Sequence, residues 1–439
     1  MIRNAAKVRL NPVALLVLAL LLCGTNISLA QVDPDPPLLG VHVDADGLLT
    51  ARRSTDDPKL LATRKAALAK ARKEARAQGD KPGLTYISLP RLFAEAKAAV
   101  DGGKEIPQDV ALLNGMTKLR YIFLFPEEKD LVIAGDSEPY HMENPARPIG
   151  LLTGRPVLRL DDLVTILRTV GPGNARGEIC CSIDPAAGAM KLITEIIADP
   201  DNRQLTKAKK AELLASSVGQ HTVRIIGVEP DTRVAFVCVE ADYLLKRMAM
   251  GVDPTPVSAV QHVHQTEKVQ FSGLWFTPMY DPLLISADGL AYEIRGQSLQ
   301  LNSRGEQFAN VPASPGTAGY ARQFTKYFPQ LAAAVPAFAD LANITDLSLL
   351  AALIGKDRLH EKAGWKLDWI LSEKGYPVPK VPVARTADTL ATYRAGVYIV
   401  GGVDVSFKDA MGPKERAKDD EGKLKNLPAR PQAGWKTAK

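Results

Sequence analysis

Apolar positions along this chain follow two periods, and the switching between them predicts an α+β protein. VHVDADGLL (41–49) has the apolar, turn, apolar order of a hairpin. Residues 59–79, KLLATRKAALAKARKEARAQG, consist mainly of strong helix formers and close on Gly79, which predicts a helix. A second helix is expected from Leu89 to about Ala99, ended by Gly102 and Gly103. LRYIFLF (119–125) and LVIAG (131–135) flank the turn residues 126–130 and predict another hairpin. A short strand is expected at 156–160, then a helix that Asp161 starts. Strand 178–184, helix 185–198, a polar helix 204–216, strand 222–228 and a helix near 231–250 complete an alternating stretch. Past the Pro-rich joint 252–256, residues 273–306 read as antiparallel strands. Two helices (319–334 and 336–354) and a last strand, VYIVGGVDV (397–405), follow.

This pattern divides the chain into a mixed α/β middle domain followed by an antiparallel β plus helical region. The expected units are an N-terminal helical region with a short hairpin (31–118), an α/β domain (119–251) and a β-rich and helical domain (257–407). The tail 408–439 is charged, contains proline and is poor in apolar residues, so disorder is expected there.

The first thirty residues stand apart. Arg3, Lys7 and Arg9 precede an apolar run, Val13 to Leu22, and the segment closes on Ser28, Leu29 and Ala30. A basic start, a short apolar middle and a small-x-small exit predict a signal peptide (1–30) cleaved near Ala30. The run is too short for a span of roughly twenty residues. No second stretch reads as long enough, so no transmembrane segment is expected in the mature chain. Leu22 before Cys23 argues against a lipid-attachment site. The expected location is therefore periplasmic, cell-envelope or extracellular.

Cleavage changes the charge balance. The whole chain carries a net +6, of which the signal holds three charges and the tail four, so the body between is close to neutral. The basic balance is a property of the ends and does not argue for a basic binding face. Between Lys59 and Arg76 there are seven basic residues and one acid, Glu74. Such a helix face suits either solvent or an anionic partner. It lacks interleaved aromatics, so nucleic acid is not the expected partner. Three cysteines follow the signal: Cys180, Cys181 and Cys238. They read as small buried hydrophobes, with a bridge from Cys238 to one of the pair as the alternative in an oxidising compartment.

Familiar catalytic motifs are missing: there is no P-loop, no H-E-x-x-H and no G-x-S-x-G. The glycine-rich stretch 171–177 runs from a helix into a strand, the reverse of a phosphate cradle, and reads as a loop. Asp44-Ala45-Asp46-Gly47 lacks the later ligands of a calcium loop and reads as a turn. His262 and His264 would share a face if 257–265 were a strand, and imidazole is a common metal ligand. Glu267, His221 or Asp242 would then complete a metal site; two surface histidines beside the joint are the plainer reading. Asp184, Glu240 and Asp242 lie near the ends of apolar segments, with Asp184 placed to cap the helix expected at Pro185. Trp275, Phe276, Met279 and Tyr280 form either an exposed partner-binding edge or core.

Four segments, ICCSIDP (179–185), GVEPDTRVAFVCVEADYLLKRMAMGV (227–252), WFTPMYDPLLISADGLAYEIRG (275–296) and YIVGGVDV (398–405), together resemble a family of exported planctomycete proteins known as a domain of unknown function. The resemblance spans roughly residues 120–405. It implies a bacterial envelope or extracellular setting and no catalytic residues. The expected function is therefore that of a non-enzymatic envelope or secreted binding or structural protein, with a protein or envelope polymer as partner and no cofactor. The alternative is a metal-dependent hydrolase holding a divalent metal at His262 and His264.

Overall fold

The computed structural model describes residues 38–53, 58–79, 81–142, 144, 146–173, 177–263, 271–304, 313–390, 398–407, 416–427 and 430–437. The expected signal segment 1–30, His264 and Glu267 lie outside the described residues.

The chain is α+β. Strands β1 (Leu38–Val43) and β2 (Leu48–Arg53) form the first hairpin. Asp44 accepts hydrogen bonds from the N–H groups of Asp46 (3.0 Å) and Leu48 (2.8 Å), so its carboxylate closes its own turn. Helix α1 (Pro58–Ala77) is tied to the body where Arg72 Nε donates to the Leu151 carbonyl at 2.9 Å. After β3 (Gly83–Ser88) comes α2 (Leu89–Asp101). Its buried residues Leu89, Leu92, Phe93 and Ala96 recur at the helical period, and the Ser88 hydroxyl caps Arg91 N–H. Strands β4 (Met116–Phe125) and β5 (Asp130–Ser137) form the second hairpin, and β6 (Tyr140–His141) pairs with β7 (Ile149–Gly150).

Helix α3 (Leu160–Val170) starts one residue before Asp161. The strand expected at 156–160 is absent; only an isolated bridge joins Pro156 to Ile149. Strand β8 (Cys180–Asp184), helices α4 (Ala189–Ala198) and α5 (Lys207–Val218), strand β9 (Gln220–Ile226) and helix α6 (Arg233–Ala249) follow the expected order. Asp184 does not cap α4, whose cap is Gly188. Its carboxylate accepts from Ser182 Oγ (2.8 Å) and faces Arg224 (3.3 Å) across the strand pair.

The β-rich stretch comprises β10 (Phe271–Met279), β11 (Leu283–Ile285), β12 (Ala291–Glu293) and β13 (Ser298–Arg304). Helices α7 (Pro315–Lys326), α8 (Phe328–Ala334) and α9 (Pro336–Lys356) come next. Strands β14 (Thr386–Asp388), β15 (Tyr398–Asp404) and β16 (Arg416–Lys418) end the set.

Two large sheets result. The first has the order β1-β2-β14-β9-β8-β15-β10-β13, and the second β16-β11-β12-β4-β5-β3. Most neighbours are antiparallel; β2–β14, β15–β10 and β11–β16 are parallel. The first sheet takes strands from all three regions read from the sequence, and one hydrophobic core runs from Val41 to Phe407. Strand β15 enters between β8 and β10, and a side chain on Gly402 would collide with the Cys181 carbonyl and the Trp275 ring.

Helix α9 lies at the centre. It packs on α3 and α6 and touches both β4 of one sheet and β13 of the other. Residues 337–354 are all buried, which accounts for apolar residues on every side of the helix. By length and composition it is apolar enough to cross a membrane, with a mean hydropathy of 1.5 over its best window. That corrects the reading of the chain as lacking a second such stretch. The whole window is buried inside the fold.

The tail also departs from expectation. Within residues 416–427 and 430–437 it is ordered against the second sheet. Strand β16 pairs with β11, Leu424 is buried, and Arg430 reaches the buried Asp130 at 3.3 Å. Ser88 N–H donates to the Trp435 carbonyl at 2.8 Å, and Lys436 bridges to Ile87. The sparse apolar residues of the tail are enough because the sheet supplies backbone partners.

Candidate functional site

Helix α9 carries two carboxylates in an apolar interior, and the structure answers each with cations. Asp340 accepts from Arg147 Nε (2.5 Å) and pairs with Arg233 Nη2 (2.7 Å). Arg147 also pairs with Glu240, and Arg233 with Asp162. Two arginines from different elements therefore meet three carboxylates from α3, α6 and α9. Burial opposes charge on both arginines, yet the facing carboxylates hold them above their ordinary pKa. Burial likewise opposes charge on Asp340, and the two guanidinium groups hold it below the usual carboxylate value. Asp162 is pushed up to about 6 by burial, against the pull of Arg233. This network is a buried frame in which two guanidinium groups are shared among three carboxylates.

Asp346, two turns further along α9, forms a second cluster. Its carboxylate accepts from the hydroxyls of Tyr280 (2.6 Å) and Ser298 (2.6 Å) and pairs with Lys118 Nζ at 3.1 Å. Lys118 Nζ also donates to Ser298 Oγ at 2.6 Å. Burial, then the Asp346 charge, raises the Tyr280 hydroxyl well above its ordinary range, so it remains a donor. Ser298 is fully buried with φ +76°, a conformation that side chains rarely adopt. Gln297 anchors this turn by donating to the carbonyls of Leu299 and Thr325, both at 2.9 Å.

Lys118 opens onto a cavity of about 240 Å³ between β4 and the paired helices α8 and α9. Lys118 and Arg120 of β4 and Arg155 form its cationic side; Phe328, Ala332, Ala339 and Ala342 belong to its apolar side. Irregularities in the β4–β5 register fall beside Lys118 and Arg120. Arg120 is bound to Asp136 through Nε (3.0 Å) and Nη2 (2.7 Å). Arg155 differs: its Nε is buried and has no hydrogen-bond partner among the described residues, and no carboxylate there pairs with it.

The loop that presents Arg155 is itself well held. Glu138, almost wholly buried, accepts from Leu152 N–H (2.7 Å), Thr153 N–H (3.0 Å) and the Thr153 hydroxyl. Gly150 leaves room for that carboxylate, since a Cβ there would come within 2.1 Å of Glu138 Oε1. Among the described residues lining the cavity there is no histidine, cysteine, serine or carboxylate. The arrangement of three cations beside apolar surface suits holding an anion.

The residues singled out from sequence are distributed elsewhere, with two exceptions. Residues 257–263 form no strand, the element on which the shared face of the two histidines depends; His262 lies over Gly251, and His264 is outside the described residues. His221 is buried on β9 beside β14, and Asp242 pairs with Lys246 within α6 at 2.7 Å. No group of three metal-ligating side chains occurs among the described residues. Phe276 is fully buried between Phe324 and Phe338, and β10 lies between β15 and β13 rather than at an edge. Trp275 packs over Gly402, leaving Met279 as the exposed member of the group. Tyr280 and Glu240 are the exceptions: the Tyr280 hydroxyl supports Asp346, and Glu240 pairs with Arg147. Cys181 and Cys238 meet where α6 crosses β8, and all three described cysteines are free thiols. The glycine stretch lines a separate cavity at the C-terminal end of α9, where helix carbonyls disfavour anions.

Sequence reasoning missed Lys118, Arg120, Arg155 and Asp346. A signal was present: Asp340 and Asp346 interrupt the most apolar helix, and a buried carboxylate demands a partner.

Replacing Asp340→Ala should lower stability by about 3–5 kcal/mol, because Arg147 and Arg233 lose their shared counter-charge. Urea unfolding would measure this, and a change under 1 kcal/mol would show the network to be dispensable.

Burial, then Lys246, pushes the His221 imidazole down to about 4 from its ordinary 6.5. The unfolded chain protonates this group before the fold does, so its stabilisation is full above pH 6.5 and is lost as the pH falls towards 4. Asp162 and Asp242, both raised to about 6, act in the opposite sense and lose stabilisation as the pH rises from about 4 to 6. His221→Gln should therefore remove one rising component from the stability profile in that window, on the order of 3 kcal/mol across it. Denaturation midpoints of both proteins between pH 4 and 7 would reveal the difference, and parallel profiles would contradict it.

Residues 181–262, from β8 through α6 to the loop at His262, carry a domain matching the family described as Protein of unknown function (DUF1598). No curated protein and no solved structure matches the chain. Glu240, Asp242 and Lys246 fall inside the matched stretch, whereas the cavity with Arg155 is built from segments on either side of it.

Proposed function

We propose that this chain is an exported, non-enzymatic protein of the cell envelope or extracellular space that binds a partner through a small anion-holding cavity. The observation that carries the reading is Arg155. Its guanidinium Nε is buried at a cavity and meets no acceptor among the described residues, while the arginines of the central network each have carboxylate partners. A buried donor left unmet costs about 1–3 kcal/mol, and an anion from outside would remove that penalty. The cavity lining also favours binding over turnover, because its described side chains supply cations and apolar surface.

Export rests on the basic, apolar and small-x-small order of residues 1–30, and the resemblance to exported planctomycete proteins supports that setting. The partner is a protein, an envelope polymer or a smaller molecule that presents a compact anionic group. The reading assigns no cofactor and gives nucleic acid no part.

Protein recovered from outside the cytoplasm should begin at Gln31, as N-terminal sequencing would show; an intact Met1 there would defeat the processing proposal.

A thermal-shift series with acetate, benzoate, sulfate and phosphate should find at least one stabilising anion. At ten times its Kd the gain is about 1.4 kcal/mol, or a few degrees. Arg155→Met should melt no lower than the parent protein without ligand, since it removes the unmet donor, and should lose the shift. Silence from all four anions would reject anion binding.

A further inference from the structure

We infer that the cavity beside Arg155 is selective for a monocarboxylate carrying a compact apolar body; this rests on the anion-binding reading above and gives its ligand a chemical class. Three observations lead to it.

Charge comes first. Of the three cations at the cavity, Lys118 faces Asp346 at 3.1 Å and Arg120 is held by Asp136 at 2.7 Å. Arg155 remains without a carboxylate among the described residues, so the cluster retains one positive charge. A monoanion balances it, whereas a phosphate dianion would leave an excess negative charge close to Asp346 and Asp136.

The donor's shape points the same way. A guanidinium is a planar fork that matches a carboxylate through two parallel hydrogen bonds. The backbone carrying Arg155 is pinned: Gly150 N–H donates to its carbonyl at 2.7 Å and its own N–H donates to Thr153 Oγ1 at 3.2 Å. The fork is thus presented from a fixed turn, which lowers the ordering penalty on binding.

The opposite wall decides what the carboxylate is attached to. Phe328 and Ala332 of α8 and Ala339 and Ala342 of α9 offer carbon surface and no hydrogen-bonding side chain. A fully hydrated inorganic anion would leave that surface unused, while an alkyl or aryl group would bury against it. The volume limits the body. A dry cavity of about 150 Å³ accommodates benzene, so about 240 Å³ suits a ligand the size of benzoate or hexanoate rather than a long-chain fatty acid.

Isothermal titration of the purified protein tests this with benzoate, hexanoate, acetate, benzamide and inorganic phosphate. Benzoate or hexanoate should bind at least roughly tenfold more tightly than acetate, and benzamide, which lacks the charge, should fall below detection. Arg155→Met should weaken benzoate by about tenfold or more, with Arg155→Lys intermediate. Ala332→Leu, which fills the apolar side, should weaken benzoate while leaving acetate unchanged. Melting curves of each variant without ligand separate lost binding from lost folding. Phosphate binding more tightly than benzoate would overturn the carboxylate class, and acetate matching benzoate would overturn the apolar body, each while leaving anion binding in place. Silence from every anion would overturn both.

Discussion

The structure depends on keeping two carboxylates charged and paired inside an apolar helix. Helix α9 is buried on every side, so Asp340 and Asp346 cannot reach water. A buried charge is tolerated only with a counter-charge and hydrogen bonds arranged around it. That requirement brings Arg147 and Arg233 to Asp340 from two separate segments, and Lys118, Tyr280 and Ser298 to Asp346 from three strands or their connections. The apolar contacts of α9 supply the larger area, but they are non-directional and permit sliding. The ion pairs admit one register of the helix against both sheets.

The same constraint produces the cavity. Lys118 is held on Asp346, which fixes the cationic side of β4 opposite the first turns of α9. On the far side, buried Glu138 knits the turn that carries Arg155. Charge placement, not cavity size alone, then distinguishes this opening from the larger one at the C-terminal end of α9. There Gly171, Gly173 and Lys356 line about 310 Å³ beside a helix C-terminus, the end of the dipole that disfavours anions.

Local patterns were readable where a segment's own chemistry decides its form. The apolar runs 119–125 and 131–135 on either side of a turn specified the β4–β5 hairpin, and the stretch from Leu89 to the glycines at 102 and 103 specified α2. Patterns failed where distant partners decide. The aromatic residues of β10 look the same whether the strand is an edge or an interior one, and only pairing with both β15 and β13 buries Phe276. His262 and His264 suggested a shared face only on the assumption of a strand, which residues 257–263 do not form. The tail is too polar to build a core, yet it docks because an existing sheet offers it open backbone groups.

By itself the sequence determined the α+β class and the order of most helices and strands. These follow from propensity and periodicity, which act over a few residues. Tertiary structure alone decided that strands from Leu38 to Asp404 share one sheet, that α9 is a core helix, and that Lys118, Arg120 and Arg155 meet at one cavity. The reason is physical. Whether a charge is paired or left to receive a ligand depends on which other charges the fold brings within a few ångströms, and no local pattern encodes that distance.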